Sequence, residues 1–231
     1  MKKWEDIPAS MKNNSVKKYY KILQRKKVSR FLKRTFDIIF SVVGMVLLSP
    51  VFLILAIAIK IDSKGPVFFR QERVTRYGKT FKIFKFRTMV ENADKKGTLV
   101  TIKNDKRITR IGKLIRKCRL DEIPQLINIF VGEMSFVGTR PEVRKYVDAY
   151  TDEMKATLLM RAGVTSEASM EFKDEDEMLN ECVKKYKSID QAYVEEILPK
   201  KMFLNIKYIE KLNLLTDVGI MLKTAISMFR R

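Results

Sequence analysis

From Ile38 to Ile59 the chain runs 22 residues without a charged side chain, IIFSVVGMVLLSPVFLILAIAI. As a straight helix this run would extend roughly 33 Å at about 1.5 Å per residue. That is enough for a hydrocarbon core of about 30 Å, so composition points to a membrane. Ser49-Pro50 lies near the middle of the run. A proline there removes one intrahelical hydrogen bond and clashes with the preceding turn, so a kink is expected. Both flanks are basic, with Arg25, Lys26, Lys27, Arg30, Lys33 and Arg34 before the run and Lys60, Lys64, Arg70 and Arg73 after it. Basic flanks stay on the cytoplasmic side, whereas a single span would place one of them outside. Two arms of roughly 17 Å each cannot cross, but together they can dip in and return. A re-entrant hairpin is therefore favoured over a straight span, with a buried core helix of a soluble protein as the third reading.

The charge distribution sharpens this picture. The formal net charge is +20, yet residues 1–120 carry 31 basic and 8 acidic side chains while the remainder carries 16 and 19. An anionic partner is implied for the first half, either lipid head groups, a phosphorylated substrate or nucleic acid. The chain has no histidine, which excludes histidine-based acid–base catalysis and histidine-ligated metal. Cys118 and Cys182 stand far apart in unrelated contexts and read as reduced thiols rather than a disulfide framework or zinc site. A basic lead of more than thirty residues, with no small-residue cleavage site after the apolar run, argues against a cleaved leader peptide.

Residues 1–34 are lysine-rich, with Val16, Tyr19, Tyr20, Leu23 and Phe31 loosely at helical spacing. They read as a basic helix on the membrane surface or as a disordered arm. Asp37 opens the apolar run and needs a partner, for which Arg34 or a base beyond Lys60 is the candidate. If the two arms return to one face, Asp37 and Lys60 approach each other. Val67–Val74 and Lys79–Met89 flank Tyr77-Gly78 as a β-hairpin, and residues 91–106 read as a polar loop. Arg107–Arg119 places Ile108, Ile111, Leu114, Ile115 and Cys118 on one stripe among basic residues. That helix lies either in the membrane interface or on a core. Residues 142–160 read as helical, 161–170 as irregular and Glu171–Glu181 as a solvated acidic face. Two helices with apolar stripes close the chain from Tyr193 to Phe229.

The stretch with most chemistry is LDEIPQLINIF. Asp121 suits a helix N-cap and Pro124 the first helical turn. A helix start attracts anions and keeps carboxylates ionised, hence available as nucleophiles or metal ligands. Arg116 and Arg119 stand nearby and offer bidentate phosphate contacts. Paired carboxylates beside arginines suit Mg²⁺-assisted phosphoryl chemistry, since Mg²⁺ takes one or two carboxylates plus phosphate oxygens. Capping alone also accounts for Asp121.

Read together, KRTFDIIFSVVGMVLLSPVFLILAIAIKIDSKGPVFFR, QERV, KIFKFRTM and RKCRLDEIPQLINIFVGEMSFVGTRPE are similar to the bacterial sugar transferase family, the monotopic phosphoglycosyl transferases. The similarity is strong over about residues 30–145 and looser over the closing YVEEILPKK and YIEKLNLLTDVGIMLKTAI. It implies transfer of a phosphosugar from a UDP-sugar to undecaprenyl (polyprenyl) phosphate with release of UMP, the first membrane step of glycan assembly. It further implies a membrane helix broken at Ser49 and Pro50, Asp121 as the nucleophile of a covalent phosphosugar intermediate, and Glu122 assisting. Mg²⁺ would sit at Asp121 and Glu122, and Arg116, Lys85, Arg87, Arg140 and Arg161 would bind phosphate or substrate. Where the family carries Pro-Arg-Pro this chain has Thr139-Arg140-Pro141. Its Arg161–Ser169 segment, RAGVTSEAS, departs from the family's Arg-Pro-Gly-Ile-Thr-Gly-Trp-Ala-Gln type, so the resemblance names the reaction without naming the sugar.

The expected architecture is mixed α/β, mostly helical: a basic segment 1–34, a re-entrant membrane helix 35–61 and a cytoplasmic or interfacial catalytic domain 62–231 with a short β-hairpin. The resemblance implies the cytoplasmic face of a bacterial inner membrane and leaves a homodimer open. Two other classes compete. A basic membrane-surface scaffold would use Asp121 and Glu122 only as a cap. Nucleic-acid binding would explain the +20, but no nucleic-acid motif is recognisable, so no nucleic-acid partner is expected.

Overall fold

The computed structural model describes residues 1–91, 93, 105–173, 175–182 and 185–229. Three helices lead, α1 (Asn14–Arg25), α2 (Lys27–Leu47) and α3 (Ser49–Asp62), followed by the strands β1 (Phe68–Val74) and β2 (Thr80–Phe86). Then come α4 (Arg110–Lys117), α5 (Gln125–Val131), β3 (Met134–Val137), the single turn α6 (Arg144–Val147) and β4 (Ala162–Thr165). Two short helices, α7 (Glu167–Glu171) and α8 (Glu175–Cys182), precede α9 (Ile189–Ala192), α10 (Leu198–Lys211) and α11 (Leu214–Phe229). The chain is mostly helical with two small two-stranded sheets, within the mixed α/β class expected. The loop expected over 91–106 lies largely outside the described residues.

The Asn13 side chain caps α1 by accepting from the Val16 amide at 2.8 Å, satisfying one of the free N–H groups of a helix start. Val16, Tyr19, Tyr20 and Leu23 are all buried, packed with Leu159, Ile209 and Leu212. Over α1 both readings are thus corrected: this helix is neither a disordered arm nor free to lay its apolar stripe on a membrane, because that stripe meets α10 as core.

No single helix among the described residues is long and apolar enough to cross a membrane; α2 and α3 pass that test together and are bent by 60° at Leu48. The bend has a local cause. Pro50 has no N–H for the carbonyl of Val46, and the Ser49 hydroxyl donates to that carbonyl instead, at 2.7 Å. Hydrogen bonds from Leu48 to Gly44 and from Phe52 to Leu48 carry the chain around the break. Ile39, Phe40, Val46, Leu47, Leu53, Ile54 and Ile61 on the two arms are exposed. Ser49→Ala removes the side-chain donor to the Val46 carbonyl, a hydrogen bond worth about 0.5–1.5 kcal/mol. We expect it to lower the melting temperature in detergent, and Ser49→Thr to keep it.

The bend does not bring Asp37 to Lys60. Asp37 is buried and accepts from the Ser135 hydroxyl and the Phe136 amide, both at 3.1 Å. α2 packs on α5 and β3, which puts the partner of Asp37 on β3 rather than on the far arm.

The far end of α3 is tied into the rest of the fold. Arg87 donates to the carbonyls of Lys64 at 2.7 Å and Ser63 at 2.6 Å, and Asp62 accepts from the Ile111 amide at the start of α4 at 3.0 Å. Ile115 of α4 is fully buried with Ile59 and Phe86, so this helix packs on a core, the second of its two readings, and is shorter than the expected Arg107–Arg119.

β1 and β2 form the expected antiparallel hairpin, Phe68 opposite Phe86 and Val74 opposite Thr80. Asn128 locks α5 against it: its side chain accepts from the Phe84 amide at 2.8 Å and donates to the Lys82 carbonyl at 3.1 Å. The second sheet pairs β3 with β4 in parallel, Met134 opposite Ala162. This corrects the irregular reading of 161–170. The helix expected over 142–160 is likewise reduced to α6 and a 3-10 stretch at Met154–Leu159. Gly163 of β4 donates to the carbonyl of Thr139, just past β3, at 2.8 Å. A Cβ on Gly163 would stand 2.1 Å from the Gly138 nitrogen, so only glycine allows this approach.

Candidate active site

A cleft of about 560 Å³ opens between the hairpin, the end of α4 and the turn that follows it, within the 300–1,000 Å³ typical of ligand sites. Among the described residues six cationic side chains line it, Arg70, Arg73, Lys85, Arg87, Arg107 and Arg116, and the carboxylates on its wall are Asp121 and Glu91.

The turn carrying Asp121 is forced by its neighbour. Arg119 has φ 53° and ψ 26°, the left-handed region, and Leu120–Glu122 then form one 3-10 turn. α5 starts only at Gln125, preceded by Pro124. Asp121 is therefore not the N-cap of that helix, and this is a correction. Pro124 cannot donate an N–H and is best placed at the helix entry itself, which leaves the acidic pair in a separate turn. Capping of that helix, the role the scaffold reading gives Asp121 and Glu122, no longer accounts for Asp121. A left-handed conformation costs a non-glycine residue about 1–2 kcal/mol, and such strain is worth noting beside a candidate site. Arg119→Gly is expected to raise stability by about 1 kcal/mol in denaturant unfolding, and Arg119→Val to lower it.

The two carboxylates have opposite environments. Glu122 Oε1 accepts from Lys85 Nζ and from Arg140 Nη2, each at 2.8 Å. Burial works against its ionisation, but the charges of Arg140 and Lys85 and their hydrogen bonds prevail, holding this carboxyl well below the usual carboxylate range. Asp121 is pushed up instead. Burial is the largest cause and the Glu122 charge adds to it, while Lys85 and Arg116 pull the other way. A raised pKa makes a carboxylate more basic, and the two cations keep its anionic form accessible. Pairs of titratable groups pushed apart in this way mark candidate functional sites.

The remaining predicted residues divide. Lys85 from β2 and Arg116 from α4 reach the cleft as expected. Arg140 reaches Glu122 from the loop after β3 and lines a second, smaller cavity that shares Gln71 and Arg73 with the main cleft. Arg87 lines the cleft, but its Nη groups are engaged with the carbonyls that end α3. Arg161 is placed elsewhere: its Nε donates to the Gly132 carbonyl at 2.7 Å, and it lines neither cavity. Ser49 and Pro50 lie at the helix break, away from the cleft.

Arg70 and Arg73 were not singled out. Arg73 donates to Gln71 Oε1 and to the Pro141 carbonyl, linking the main cleft to the Arg140 loop. Arg70 stacks its guanidinium 3.4 Å from the Phe84 ring centre. The signal for both lay in FFRQERV, where two arginines stand on one strand of an otherwise imperfect alternation.

A cationic cleft with a basic carboxylate in its wall and an ion-paired carboxylate behind it has the charge and donor geometry that suit phosphate oxygens. The family model for bacterial sugar transferases matches residues 28–231, and the chain belongs to that family. It is 41% identical over 143 residues to a UDP-N-acetylgalactosamine-undecaprenyl-phosphate N-acetylgalactosaminephosphotransferase of Aeromonas hydrophila, covering 61% of this chain and 34% of that one. It is 40% identical over 155 residues to the undecaprenyl-phosphate galactose phosphotransferase of Salmonella typhimurium, covering 61% and 32%. It is 35% identical over 173 residues to the UDP-glucose:undecaprenyl-phosphate glucose-1-phosphate transferase of Escherichia coli, covering 73% and 37%. The chain spans about a third of the length of these curated relatives.

Proposed function

We propose that the chain transfers a phosphosugar from a UDP-sugar to polyprenyl phosphate, giving polyprenyl-diphosphate-sugar and UMP at the cytoplasmic face of a bacterial inner membrane. The observation that carries this is the position of Asp121: a carboxylate of raised basicity in the wall of a cleft lined by six cations. Family membership and the names of the three relatives support the substrate classes; those names carry three different sugars.

An Asp121 oxygen attacks the β-phosphorus of the UDP-sugar. The bond from that phosphorus to the bridging oxygen breaks, and UMP leaves with the electron pair. An oxygen of polyprenyl phosphate then attacks the phosphorus of the aspartyl-phosphosugar, and the Asp121 carboxylate is regenerated. Covalent catalysis of this kind splits one displacement into two. Arg116 and Lys85 offset the diphosphate charge, and Arg140 with Lys85 keeps Glu122 ionised and fixed beside the nucleophile.

Mg²⁺ fits the donors present. Among the described residues no three acidic or cysteine side chains group to cage a metal. Mg²⁺ characteristically takes only one or two carboxylates plus substrate phosphate oxygens, and both hydrogen bonds to Glu122 fall on Oε1. Asp121 and Glu122 would hold the ion, which would neutralise charge on the transferring phosphoryl group.

The bent α2–α3 pair supports a membrane-lying anchor that delivers the cleft to a lipid acceptor, since α3 ends on Arg87 and Asp62 at the cleft's edge. The test is UMP release from a panel of UDP-sugars with undecaprenyl phosphate and Mg²⁺. At least one UDP-sugar is expected to give lipid-dependent UMP release; none doing so, with the chain folded and lipid-reconstituted, contradicts the assignment.

A further inference from the structure

A third cavity, of about 350 Å³, lies against the first half of α2 and shares no residue with the Asp121 cleft. The two stand at opposite ends of α5. Asp121 precedes its start, whereas Arg34 donates to the carbonyls of Ile129 and Phe130 at its end, at 2.7 and 2.8 Å. Lys27, Arg30, Lys33, Arg34, Arg76 and Arg161 line this cavity, against the single carboxylate of Asp37.

Three of the six cations have structural partners. Lys33 pairs with Asp217 at 2.7 Å, Arg34 holds the end of α5, and Arg161 is bonded to Gly132. Lys27, Arg30 and Arg76 form no ion pair among the described residues, and the buried Arg30 Nε has no hydrogen-bond partner. Arg76 only stacks on the ring of Tyr77, 4.7 Å away. Burial, with Arg76 and Arg34 adding to it, pulls Arg161 down to about 10. Such a concentration of uncompensated positive charge is unfavourable unless an anion occupies it.

The surroundings indicate which anion. Phe31 lines the cavity and is 71% exposed; Val28 and Leu32 beside it on α2 are also exposed. The uncharged run begins at Ile38, about 12 Å along the helix from Arg30. A free phosphate gains nothing from an apolar rim, whereas a phospholipid fills the cavity with its phosphate and lays its chains over Phe31 and the apolar run. We infer that this cavity binds the phosphate of an anionic phospholipid, fixing the depth and tilt of α2 at the head-group level through Arg30 and Arg76. The inference rests on the membrane-lying reading above. Basic pockets on the cytoplasmic side of membrane helices hold head groups in this way, and guanidinium groups suit phosphate oxygens bidentately.

The test uses the full chain in a nonionic detergent, titrated with phosphatidylglycerol, phosphatidylcholine or inorganic phosphate and read by native mass spectrometry. Wild type is expected to retain one phosphatidylglycerol in preference to phosphatidylcholine, and the Arg30→Gln/Arg76→Gln variant to bind it roughly tenfold or more weakly. The charge-matched Lys21→Gln/Lys207→Gln variant, altered at exposed positions outside the cavity, should bind as wild type does. Without lipid, the Arg30→Gln/Arg76→Gln variant should melt no lower than wild type, because it loses repulsion rather than contacts. Equal weakening by both double variants would reduce the effect to net charge and overturn the site. Displacement of the lipid by millimolar inorganic phosphate would overturn the lipid assignment. No preference for phosphatidylglycerol in wild type that still releases UMP would refute this inference alone and leave the catalytic reading standing.

Discussion

Asp121→Asn is expected to lower phosphosugar transfer by about 10⁶-fold, the order of loss on deleting a covalent nucleophile, while leaving the protein at least as stable as wild type. The two halves of that expectation have one cause. Burial raises the Asp121 carboxyl from its ordinary 3.8, so the folded protein bears a cost for ionising it that a neutral amide of the same shape removes. Above its raised folded pKa the ionised Asp121 destabilises the fold, and the cost is relieved as pH falls from that value to the unfolded 3.8. Activity should follow the opposite course. The acid limb of kcat/KM should have its midpoint above 3.8, because only the anion attacks. Removing Arg116 or Lys85, which pull the pKa down, should move that limb to higher pH. A drop in activity accompanied by a matching drop in melting temperature would instead make Asp121 structural.

Breaking the Glu122 ion pairs is expected to have the second largest effect. Lys85→Met or Arg140→Met leaves a mostly buried carboxylate with one partner, and a charged hydrogen bond is worth about 1.5–3 kcal/mol. Chemical denaturation should report a loss of about 2 kcal/mol for Lys85→Met, and less for Arg140→Met, because Arg140 is the more exposed partner, at 39% against 22%. The pH dependence is the reverse of that for Asp121. The folded pKa of Glu122 lies below its ordinary 4.5, so the pairs contribute fully above about 4.5 and are lost as pH falls through the folded value. The stability difference between wild type and Lys85→Met should therefore shrink on acidification. Glu122→Gln should slow transfer and weaken its Mg²⁺ dependence without abolishing labelling of the enzyme.

The elements legible in the sequence were those with a strong local signal. The uncharged run with its Ser49-Pro50 break, the hairpin about Tyr77-Gly78 and the closing apolar helices each carry periodicity or a breaker within a few residues. The parallel β3–β4 pair was not legible, since four-residue strands show no alternation and their pairing depends on the Gly138–Gly163 approach across intervening chain. α1 misled for a related reason: a basic amphipathic stripe looks the same whether it meets lipid or core, and only α10 decides. At the site, Asp121, Glu122, Lys85 and Arg116 were found through local chemistry and family motifs. The position of Arg161 and the engagement of Arg87 with the end of α3 depend on tertiary neighbours that no spacing encodes. The 3-10 turn Leu120–Glu122, which holds Asp121 apart from the helix it was expected to cap, and the left-handed Arg119 before it leave no mark on composition at all.

The most direct measurement is the order of the two half-reactions. The full chain, lipid-free and supplied with Mg²⁺ and a UDP-sugar labelled at the β-phosphate, should release one UMP per active chain and retain the label on the protein. Asp121→Asn should retain none, and later addition of undecaprenyl phosphate to wild type should move the label to lipid. UMP release that waits for the lipid acceptor, with no labelled protein under a quench that preserves acyl phosphates, would contradict the account and make Asp121 a metal ligand for direct attack by the lipid phosphate.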